Sequence, residues 1–285
     1  MSKMPRLFQV LTVLILALFL SAGTAGAAEA PTTAAATTAR GMWIWDRPAT
    51  KTVIDFAKAN GVNDLVVFVP DTPDLAWLSD LRAQSRAVGM QMHALGSETW
   101  WLDQPDAAVA WQQRVTQTGL FDGFHFDVEP WLHADWNTDQ PAVVAKYLQF
   151  LDAVTATDLP VDLDVSFWLY GISAPDGSRL DEAVLARVDA ITVMSYRDTA
   201  TGPDSITSIS APTLDAAVRA GKPARLAVET NYLGPTAVDA KQTFYGERRS
   251  RMSSVMAAVD TAMAGNSAYA GIVVHDRRGW AAMRK

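Results

Sequence analysis

Eight short apolar runs alternate with helical segments along this chain, and this alternation limits the possible folds more than any other feature. The segments between the runs are amphipathic or rich in alanine, as expected for strands that are each followed by a helix. Eight such units in about 250 residues are typical of a (β/α)8 barrel, the TIM barrel. The sequence therefore predicts an α/β protein with a single barrel domain over residues 41–285, and a short last helix because only Arg277–Lys285 follows the eighth run. The runs are Met42–Trp45, Leu65–Val69, Met90–Leu95, Phe121–Glu129, Val161–Leu169, Ala190–Tyr196, Ala224–Val228 and Ala270–Val274.

A doubly wound open sheet has the same alternation and is the alternative fold. Its usual mark is a glycine-rich phosphate-binding turn after the first strand. Here the first run ends in Trp45-Asp46-Arg47-Pro48, without a glycine. The barrel is therefore the preferred prediction.

The first 27 residues have the layout of a secretory signal peptide. Lys3 and Arg6 precede an apolar run from Leu7 to Leu20, and small residues ending in Ala25-Gly26-Ala27 follow. The apolar run is shorter than the ~20 residues that a membrane span needs, which favours cleavage over an uncleaved anchor. We therefore predict a secreted protein without a membrane anchor after cleavage. Residues 28–40, mostly Ala, Thr and Pro, are expected to form a flexible leader.

Charge and cysteine content narrow the choice of partners. The chain has 24 Lys and Arg against 31 Asp and Glu, and loss of Lys3 and Arg6 with the signal would leave a net charge of −9. An acidic surface argues against nucleic acid and anionic membrane as partners. The chain has no cysteine, which excludes disulfides and thiolate zinc sites. No cofactor or resident metal is indicated, and we expect a monomer.

The fourth run carries the polar residues that most strongly suggest catalysis. Phe124, Phe126 and Val128 alternate with His125, Asp127 and Glu129, so the three polar side chains share one face of a strand. In a barrel, the carboxyl ends of the strands collect catalytic groups. Burial and a neighbouring Asp127 would raise the pKa of Glu129, as a general acid requires. The alternative is a structural pair between this acid and an arginine such as Arg197.

Acidic and aromatic residues dominate the ends of the other predicted strands. Aromatic rings stack on the apolar faces of sugars, and carboxylates bind hydroxyls or transfer protons. The pattern therefore predicts a carbohydrate cleft, although about half of the tryptophans are expected to be packing residues only. The candidate substrate contacts are Trp45, Asp46, Trp101, His125, Trp168, Met194, Asp198, Asn231 and His275.

Two motifs resemble those of the family 18 glycoside hydrolases, the chitinase family. Residues 122–129, Asp-Gly-Phe-His-Phe-Asp-Val-Glu, are similar to the strand-four signature Asp-Gly-x-Asp-x-Asp-x-Glu, with His125 in place of the middle Asp. Met194-Ser195-Tyr196 is similar to the strand-six Met-x-Tyr element. The resemblance implies a glycosidase in which Glu129 is the acid and Asp127 orients the acetamido group of an N-acetyl sugar. It also implies that Tyr196 hydrogen-bonds this acetamido group while its oxygen attacks the anomeric carbon.

Three other functions stay open at this point. In glycosidases of the four/seven type, Glu229 after strand seven would be the nucleophile opposite Glu129; its alternative role is a salt bridge with Arg197 or Arg225. A non-catalytic, chitinase-like lectin barrel would bind the same sugars without cleaving them. A metal-dependent phosphodiesterase would use His125, Asp127 and Glu129 with His275 and Asp276.

Two charged runs near the C-terminus receive simpler interpretations. Residues 275–278, His-Asp-Arg-Arg, follow strand eight, where many barrels bind phosphate or a charged sugar group, but an ion-paired loop is the preferred interpretation. Residues 246–250, Gly-Glu-Arg-Arg-Ser, are interpreted as a solvated helix start.

Overall fold

The computed structural model describes residues 39–285, in which eight parallel strands form a closed barrel in chain order, β1 to β8. Each strand pairs with its neighbours in sequence, and β8 closes the barrel against β1. The predicted single (β/α)8 barrel is thereby confirmed. The strands are β1 Ala39–Ile44, β2 Asp64–Phe68, β3 Gln91–Gly96, β4 Gly123–Phe126, β5 Val161–Ser166, β6 Ala190–Met194, β7 Ala224–Glu229 and β8 Tyr269–His275.

Helices surround the barrel, and the last of them is short, as predicted. In the described part of the chain, no helix is long and apolar enough to cross a membrane. Three short 3-10 helices, Thr99–Leu102, Pro130–Leu132 and Leu169–Gly171, follow the ends of β3, β4 and β5. The α-helices are α1 Thr50–Ala59, α2 Leu75–Ala87, α3 Pro105–Thr118, α4 Gln140–Val154, α5 Leu180–Leu185, α6 Ile206–Ala220, α7 Ala237–Ala240, α8 Arg249–Met263 and α9 Arg277–Ala282.

Several predicted boundaries differ from the observed ones. The strand predicted over 121–129 is regular only over Gly123–Phe126, because Pro130 starts a 3-10 helix and the chain already turns there. The leader predicted over 28–40 is too long at its end, since β1 begins at Ala39 and Arg40 pairs with Asp260 at 2.7 Å. Helix α7 was not predicted. The signal peptide and residues 28–38 lie outside the described residues.

The main hydrophobic core lies between the barrel and its helices. Phe124, Phe126 and Val128 are fully buried in it, which confirms the outward face predicted for the fourth run. Trp111 of α3 and Phe150 of α4 contact Phe126 with ring centroids 5.8 and 5.5 Å apart. This packing fixes the position of β4 and therefore of the residues on its inner face.

The first two residues of the strand-four signature are structural. The Asp122 carboxylate accepts hydrogen bonds from both terminal nitrogens of Arg82, at 2.5 and 2.6 Å, and from the backbone N–H of Met92, at 2.9 Å. Gly123 has no room for a side chain, because a Cβ there would lie 2.8 Å from the carbonyl oxygen of Pro160. These two residues anchor the amino end of β4 against α2, β3 and β5.

The barrel interior contains a column of charged side chains at its amino end. Arg225 on β7 pairs with Asp64 on β2 and with Asp162 on β5. His93 on β3 lies 2.8 Å from Asp64, and His125 on β4 lies 3.3 Å from Asp162. Although burial opposes ionisation, the interactions with His93 and Arg225 hold the pKa of Asp64, and those with Arg225 and His125 the pKa of Asp162, well below the usual range. A small apolar cluster lies beyond the column, formed by Trp43, Val66, Leu95, Ala227 and Val273.

Candidate active site

The carboxyl end of β4 presents Asp127 and Glu129 at the mouth of the barrel. The backbone N–H of Asp127 still donates to Gly96 of β3 at 2.9 Å, so the chain continues along the sheet just past the regular strand. Glu129 directly precedes the 3-10 helix Pro130–Leu132. Both carboxyl groups are half-buried, whereas Val128 between them is fully buried in the core. The two acids therefore point to the same side, as the alternation predicted.

The two acids form a coupled pair with raised pKa values. Burial and then the charge of Asp164 raise the pKa of Asp127 to about 6. Burial and then the charge of Asp127 raise the pKa of Glu129 to about 7, against the opposing effect of a hydrogen bond from the Trp131 side chain. Because each carboxylate disfavours ionisation of the other, the pair holds one proton near neutral pH. Glu129, with the higher pKa, is the group that can donate this proton.

Tyr196 contributes a phenol to the same site. Its ring packs against the apolar cluster around Trp43 inside the barrel mouth. Burial and the charges of Glu229, Asp164, Asp127 and Glu129 raise the pKa of Tyr196 well above its usual value. The hydroxyl consequently keeps its proton and is available to donate a hydrogen bond.

His125, the residue that departs from the chitinase signature, is fully buried below Asp127. Its Nε2 lies 2.8 Å from Oδ2 of Asp164, on the neighbouring strand β5. Burial disfavours the imidazolium, yet the charges of Asp164 and Asp162 raise the pKa of His125 to about 10. The structure corrects the expectation that His125 contacts the substrate, since it is 0% exposed. Its charge instead compensates the carboxylates beneath the site.

His125 stands where the strand-four signature has its middle aspartate, so β4 has one carboxylate fewer. Asp164 on the neighbouring strand β5 supplies a carboxylate in its place. Its Oδ2 contacts His125, whereas Oδ1 is buried and has no hydrogen-bond partner within residues 39–285. Burial raises the pKa of Asp164, against the lowering effect of His125. Since the charge of Asp164 acts directly on Asp127, the site again contains an interacting pair of aspartates. The second aspartate comes from β5 in place of β4.

Glu229 forms a chain with His275 and Trp45 on the opposite side of the mouth. Its Oε2 lies 2.7 Å from Nδ1 of His275, and the indole N–H of Trp45 donates to Nε2 of His275 at 3.0 Å. Its Oε1 accepts the backbone N–H groups of Thr230 and Asn231, both at 2.7 Å, and the Asn231 side chain at 3.0 Å. The chain brings three predicted site residues together and fixes the Trp45 ring.

These contacts argue against both earlier roles for Glu229. Its two oxygens are held by Thr230, Asn231 and His275, and its side chain is only 4% exposed, so it is not presented as a nucleophile. The salt bridge with Arg197 or Arg225 is also wrong, because Arg197 pairs with Asp204, and Arg225 with Asp64 and Asp162. The same pairing of Arg197 removes the alternative that it neutralises Glu129.

The predicted aromatic contacts separate into core and cleft residues. Trp101 is 3% exposed and stacks against Phe150, with Trp111 and Phe126 beside it, so its predicted contact with substrate is wrong. The 3-10 helix that follows β3 turns this ring inward. Trp168 remains half-buried, with the Trp131 ring centroid 5.0 Å away. Because Trp131 follows Glu129 by two residues in the same 3-10 turn, these two indoles form an aromatic wall beside the proton donor.

The four remaining predicted contacts have mixed surroundings. Asp46 accepts two hydrogen bonds from Arg277 of α9, one of them at 2.9 Å. The structure therefore makes Asp46 part of a structural ion pair, where the sequence had predicted a substrate contact. Asp198 lies 3.7 Å from Arg251 and is partly exposed. Met194 is buried but belongs to neither apolar cluster. Asn231 supports Glu229, as described above.

The residues proposed as metal ligands do not form a metal site. His125 is bound to Asp164 and His275 to Glu229, while Asp276 caps α9 by accepting the Gly279 N–H at 2.8 Å. Within residues 39–285, no group of three or more His, Asp or Glu side chains is arranged to hold a metal ion. The metal-dependent phosphodiesterase therefore has no support in the geometry of these side chains.

Sequence reasoning gave no role in the site to Asp164 or Tyr147, and it considered Arg225 only as a partner of Glu229. Asp164 alternates with apolar residues along β5, and Arg225 is a charged residue within β7, so both signals were present in the sequence. Tyr147 of α4 is fully buried, and burial together with the charges of Asp164, Glu129 and Asp127 raises its pKa. Its hydroxyl has no hydrogen-bond partner within the described residues. Nothing in the helical pattern distinguishes Tyr147 from an ordinary core residue.

Fold and site together define a (β/α)8 barrel with paired acids, a tyrosine and indole rings at the carboxyl ends of its strands. No protein-family model matches the sequence, and no curated protein matches it. Solved structures are similar in fold. The chitinase from Chromobacterium violaceum ATCC 12472 has a TM-score of 0.52 at 15% identity, over 86% of this chain and 97% of that chain.

Two further structures share the fold. The spore cortex-lytic enzyme SleL of Bacillus cereus has a TM-score of 0.54 at 11% identity, over 86% of this chain and 73% of that chain. The glycoside hydrolase family 17 β-1,3-glucanosyltransferase from Rhizomucor miehei has a TM-score of 0.53 at 14% identity, over 84% of this chain and 86% of that chain. At these identities the similarity shows a common fold. The predicted likeness to chitinases is confirmed at that level.

Proposed function

We propose that the protein is a secreted glycoside hydrolase that cleaves a glycosidic bond in a polysaccharide or oligosaccharide. The observation that carries the proposal is the pair of neighbouring acids at the mouth of the barrel, in which burial and then the charge of Asp127 raise the pKa of Glu129 to about 7. A carboxylic acid that is still protonated near neutral pH is what protonation of a leaving glycosidic oxygen requires. The fold shared with a chitinase supports the same class of reaction.

In the proposed mechanism Glu129 gives its proton to the glycosidic oxygen as the bond to the anomeric carbon breaks. On an N-acetyl sugar, the acetamido oxygen would attack that carbon, with Asp127 and the hydroxyl of Tyr196 holding the acetamido group. Ionised Glu129 would then take a proton from the water that opens the intermediate. The indoles of Trp131 and Trp168 would stack on the sugar ring next to the cleaved bond.

A non-catalytic carbohydrate-binding barrel is the second candidate. The observation that favours it is the fixed ion pairing of His125, which replaces one acid of the chitinase signature. Such a protein would use the same indoles for binding without turnover. The contacts made by Asp164 favour the hydrolase, because they restore a second aspartate beside Asp127.

A panel of soluble oligosaccharides tests the proposal directly. Chito-oligosaccharides, β-1,3-gluco-oligosaccharides and peptidoglycan fragments would be incubated with the full-length secreted chain, and new reducing ends would be counted. We expect new reducing ends from at least one class. Binding of a glycan without any cleavage across the panel would establish the binding barrel in its place.

The pH dependence of hydrolysis should follow the titration of the pair. Glu129 must be protonated, so kcat/KM should fall as the pH rises through its pKa of about 7. On the acid side, kcat/KM should fall as Asp127 gains a proton near pH 6. In Asp127→Asn the neighbouring charge is gone, so the pKa of Glu129 drops and the alkaline limb should move to lower pH. An alkaline limb that stays in place would show that another group is the acid.

A further inference from the structure

A cavity on the rim of the barrel, between the loop after β7 and helix α9, is lined by cationic and aromatic side chains. This cavity, the basic pocket, has a volume of about 420 Å³, and Asn231, Tyr245, Arg278 and Arg284 contribute to its wall. A shallower cavity of about 460 Å³ shares Arg284 with it and extends along the start of α8. The two cavities adjoin each other, because Gly246 and Arg284 line both.

Positive charge without a compensating carboxylate is concentrated around the basic pocket. Nine Lys and Arg side chains of residues 39–285 have no Asp or Glu carboxylate within 4 Å, and five of them lie at this corner of an otherwise acidic protein. Arg277 and Arg251 belong to the same region but are paired with Asp46 and Glu247. The five residues without an Asp or Glu partner are Arg248, Arg249, Arg278, Arg284 and Lys285.

Backbone carbonyl groups hold three of these arginines in place. Arg284 donates to the carbonyl of Gly246 at 2.6 Å, Arg248 to a main-chain oxygen of Lys285 at 2.8 Å, and Arg249 to the carbonyl of Ala281. Arg284, in the wall of the basic pocket, is thus oriented without losing its charge and has further N–H groups for an anion, whereas the guanidinium of Arg249 lies over the Phe56 ring. Arg278 is exposed at the start of α9. The interpretation of residues 246–250 as a solvated helix start is confirmed, because α8 begins at Arg249 and both Arg248 and Ser250 are exposed, whereas the ion-paired loop predicted for residues 275–278 holds for Arg277 and not for Arg278.

An exposed aromatic pair borders the basic pocket. Tyr245 in its wall and the neighbouring Tyr232 are each 58% exposed, and their ring centroids lie 5.2 Å apart. Exposed aromatic faces at a cavity edge bind the apolar face of a sugar ring. The same cavity thus combines a surface for a sugar ring with cations for a negatively charged group.

Hydrogen bonds link the basic pocket to the opposite side of the barrel mouth from Glu129. Asn231, in its wall, donates its side-chain N–H to Glu229, which in turn holds His275 and Trp45. The loops after β7 and β8 that form the pocket leave the barrel at the same end as Asp127 and Glu129. A glycan that crosses the mouth from Glu129 toward β7 and β8 would therefore reach it.

From these observations we infer that the basic pocket binds an acidic sugar residue of the substrate, with its carboxylate or sulfate group on Arg278 and Arg284 and its ring against Tyr245. The inference rests on the proposed glycosidase function and names the substrate class as an anionic glycan. The acidic surface elsewhere would direct the anionic groups of such a chain to this corner.

Binding is measured by calorimetry on the full-length Glu129→Gln chain, in which turnover is blocked. The probes are tetragalacturonate and its methyl ester, a sulfated chondroitin tetrasaccharide and its desulfated form, and a single-stranded DNA decamer. At least one acidic saccharide should bind, about tenfold or more tightly than its neutralised partner, and less tightly in high salt. The pair that shows the difference identifies the anionic group as carboxylate or sulfate.

Matched variants assign the binding to the pocket. Arg278→Gln/Arg284→Gln should weaken it about tenfold or more, whereas Lys58→Gln/Arg86→Gln removes the same charge from exposed sites on α1 and α2 and should change it less than about twofold. Arg278→Gln alone keeps the test decisive if the double variant is unstable, because the Arg278 side chain makes no hydrogen bond within the described residues.

Three results would overturn the inference: no binding of either acidic saccharide, equal binding of the neutral partners, or binding of the DNA decamer alone. Hydrolysis by the wild-type chain is a separate measurement. If no glycan is cleaved but the acidic saccharides still bind through Arg278 and Arg284, the glycosidase proposal fails and the site stands.

Discussion

Glu129→Gln is expected to reduce glycan hydrolysis by about 10²–10⁴-fold, the usual contribution of a general acid. Glutamine has nearly the same size as the acid, but it has no acidic proton to give to the leaving oxygen. Initial rates of reducing-end release by the wild type and the variant measure the effect. Substrate affinity, measured by calorimetry on the same glycan, should change little, because the indoles that bind the sugar are untouched.

Glu182→Gln is the matched control. Glu182 lies on α5, on the outside of the barrel, and pairs with Arg219 at 2.5 Å. Removing this exposed charge should leave both the rate and the affinity unchanged. If Glu129→Gln keeps more than about a tenth of the wild-type rate, another group protonates the leaving oxygen. Our assignment of the proton donor would then be wrong.

Arg225→Met is expected to lower the free energy of unfolding by about 3–5 kcal/mol. Arg225 is 7% exposed and neutralises Asp64 and Asp162 inside the barrel. Without it, two buried carboxylates with depressed pKa values lose their main partner, and leaving a buried charge uncompensated is far more costly than losing a surface pair. Urea denaturation followed by circular dichroism measures the loss.

The comparison for this variant is Arg114→Met, in which an exposed pair with Asp71 is broken. Both partners of that pair are more than half exposed, so the expected loss is about 0–1 kcal/mol. Arg225→Lys keeps the charge but loses the hydrogen bonds to both Asp64 and Asp162, so its loss of unfolding free energy should lie between those of Arg225→Met and Arg114→Met. Equal losses for Arg225→Met and Arg114→Met would show that the charged column adds no stability to the barrel.

The sequence was sufficient to predict the barrel because the barrel is encoded locally. Each strand is a short apolar run, each helix has its own periodicity, and β4 shows strict alternation of buried and polar residues over 124–129. The placement of Asp127 and Glu129 at the mouth follows from the same alternation. Patterns of this kind can be recognised from neighbouring residues alone, without knowledge of contacts with distant residues.

The contacts that decide individual roles are not local. Arg225 meets Asp64 across 161 positions, and His275 meets Glu229 across 46. Only barrel closure brings such residues together, so the pairing of Glu229 with His275 was not predicted. Trp101 shows a second limit: its direction is set by a four-residue 3-10 helix, and a one-residue change in that turn would have pointed its neighbour Trp100 inward instead. No periodicity predicts that choice.

The buried column of ions has a consequence for how this barrel assembles. Its members come from β2, β3, β4, β5 and β7, and two of its pairs, Arg225–Asp64 and His125–Asp162, join the first four strands of the barrel to the last four. A strand that paired one residue out of step would turn Arg225 or Asp162 toward the aliphatic layer under the helices and leave its counter-ion alone. The buried ion pairs thus stabilise the closed barrel with every strand in its native register and destabilise barrels with a shifted strand.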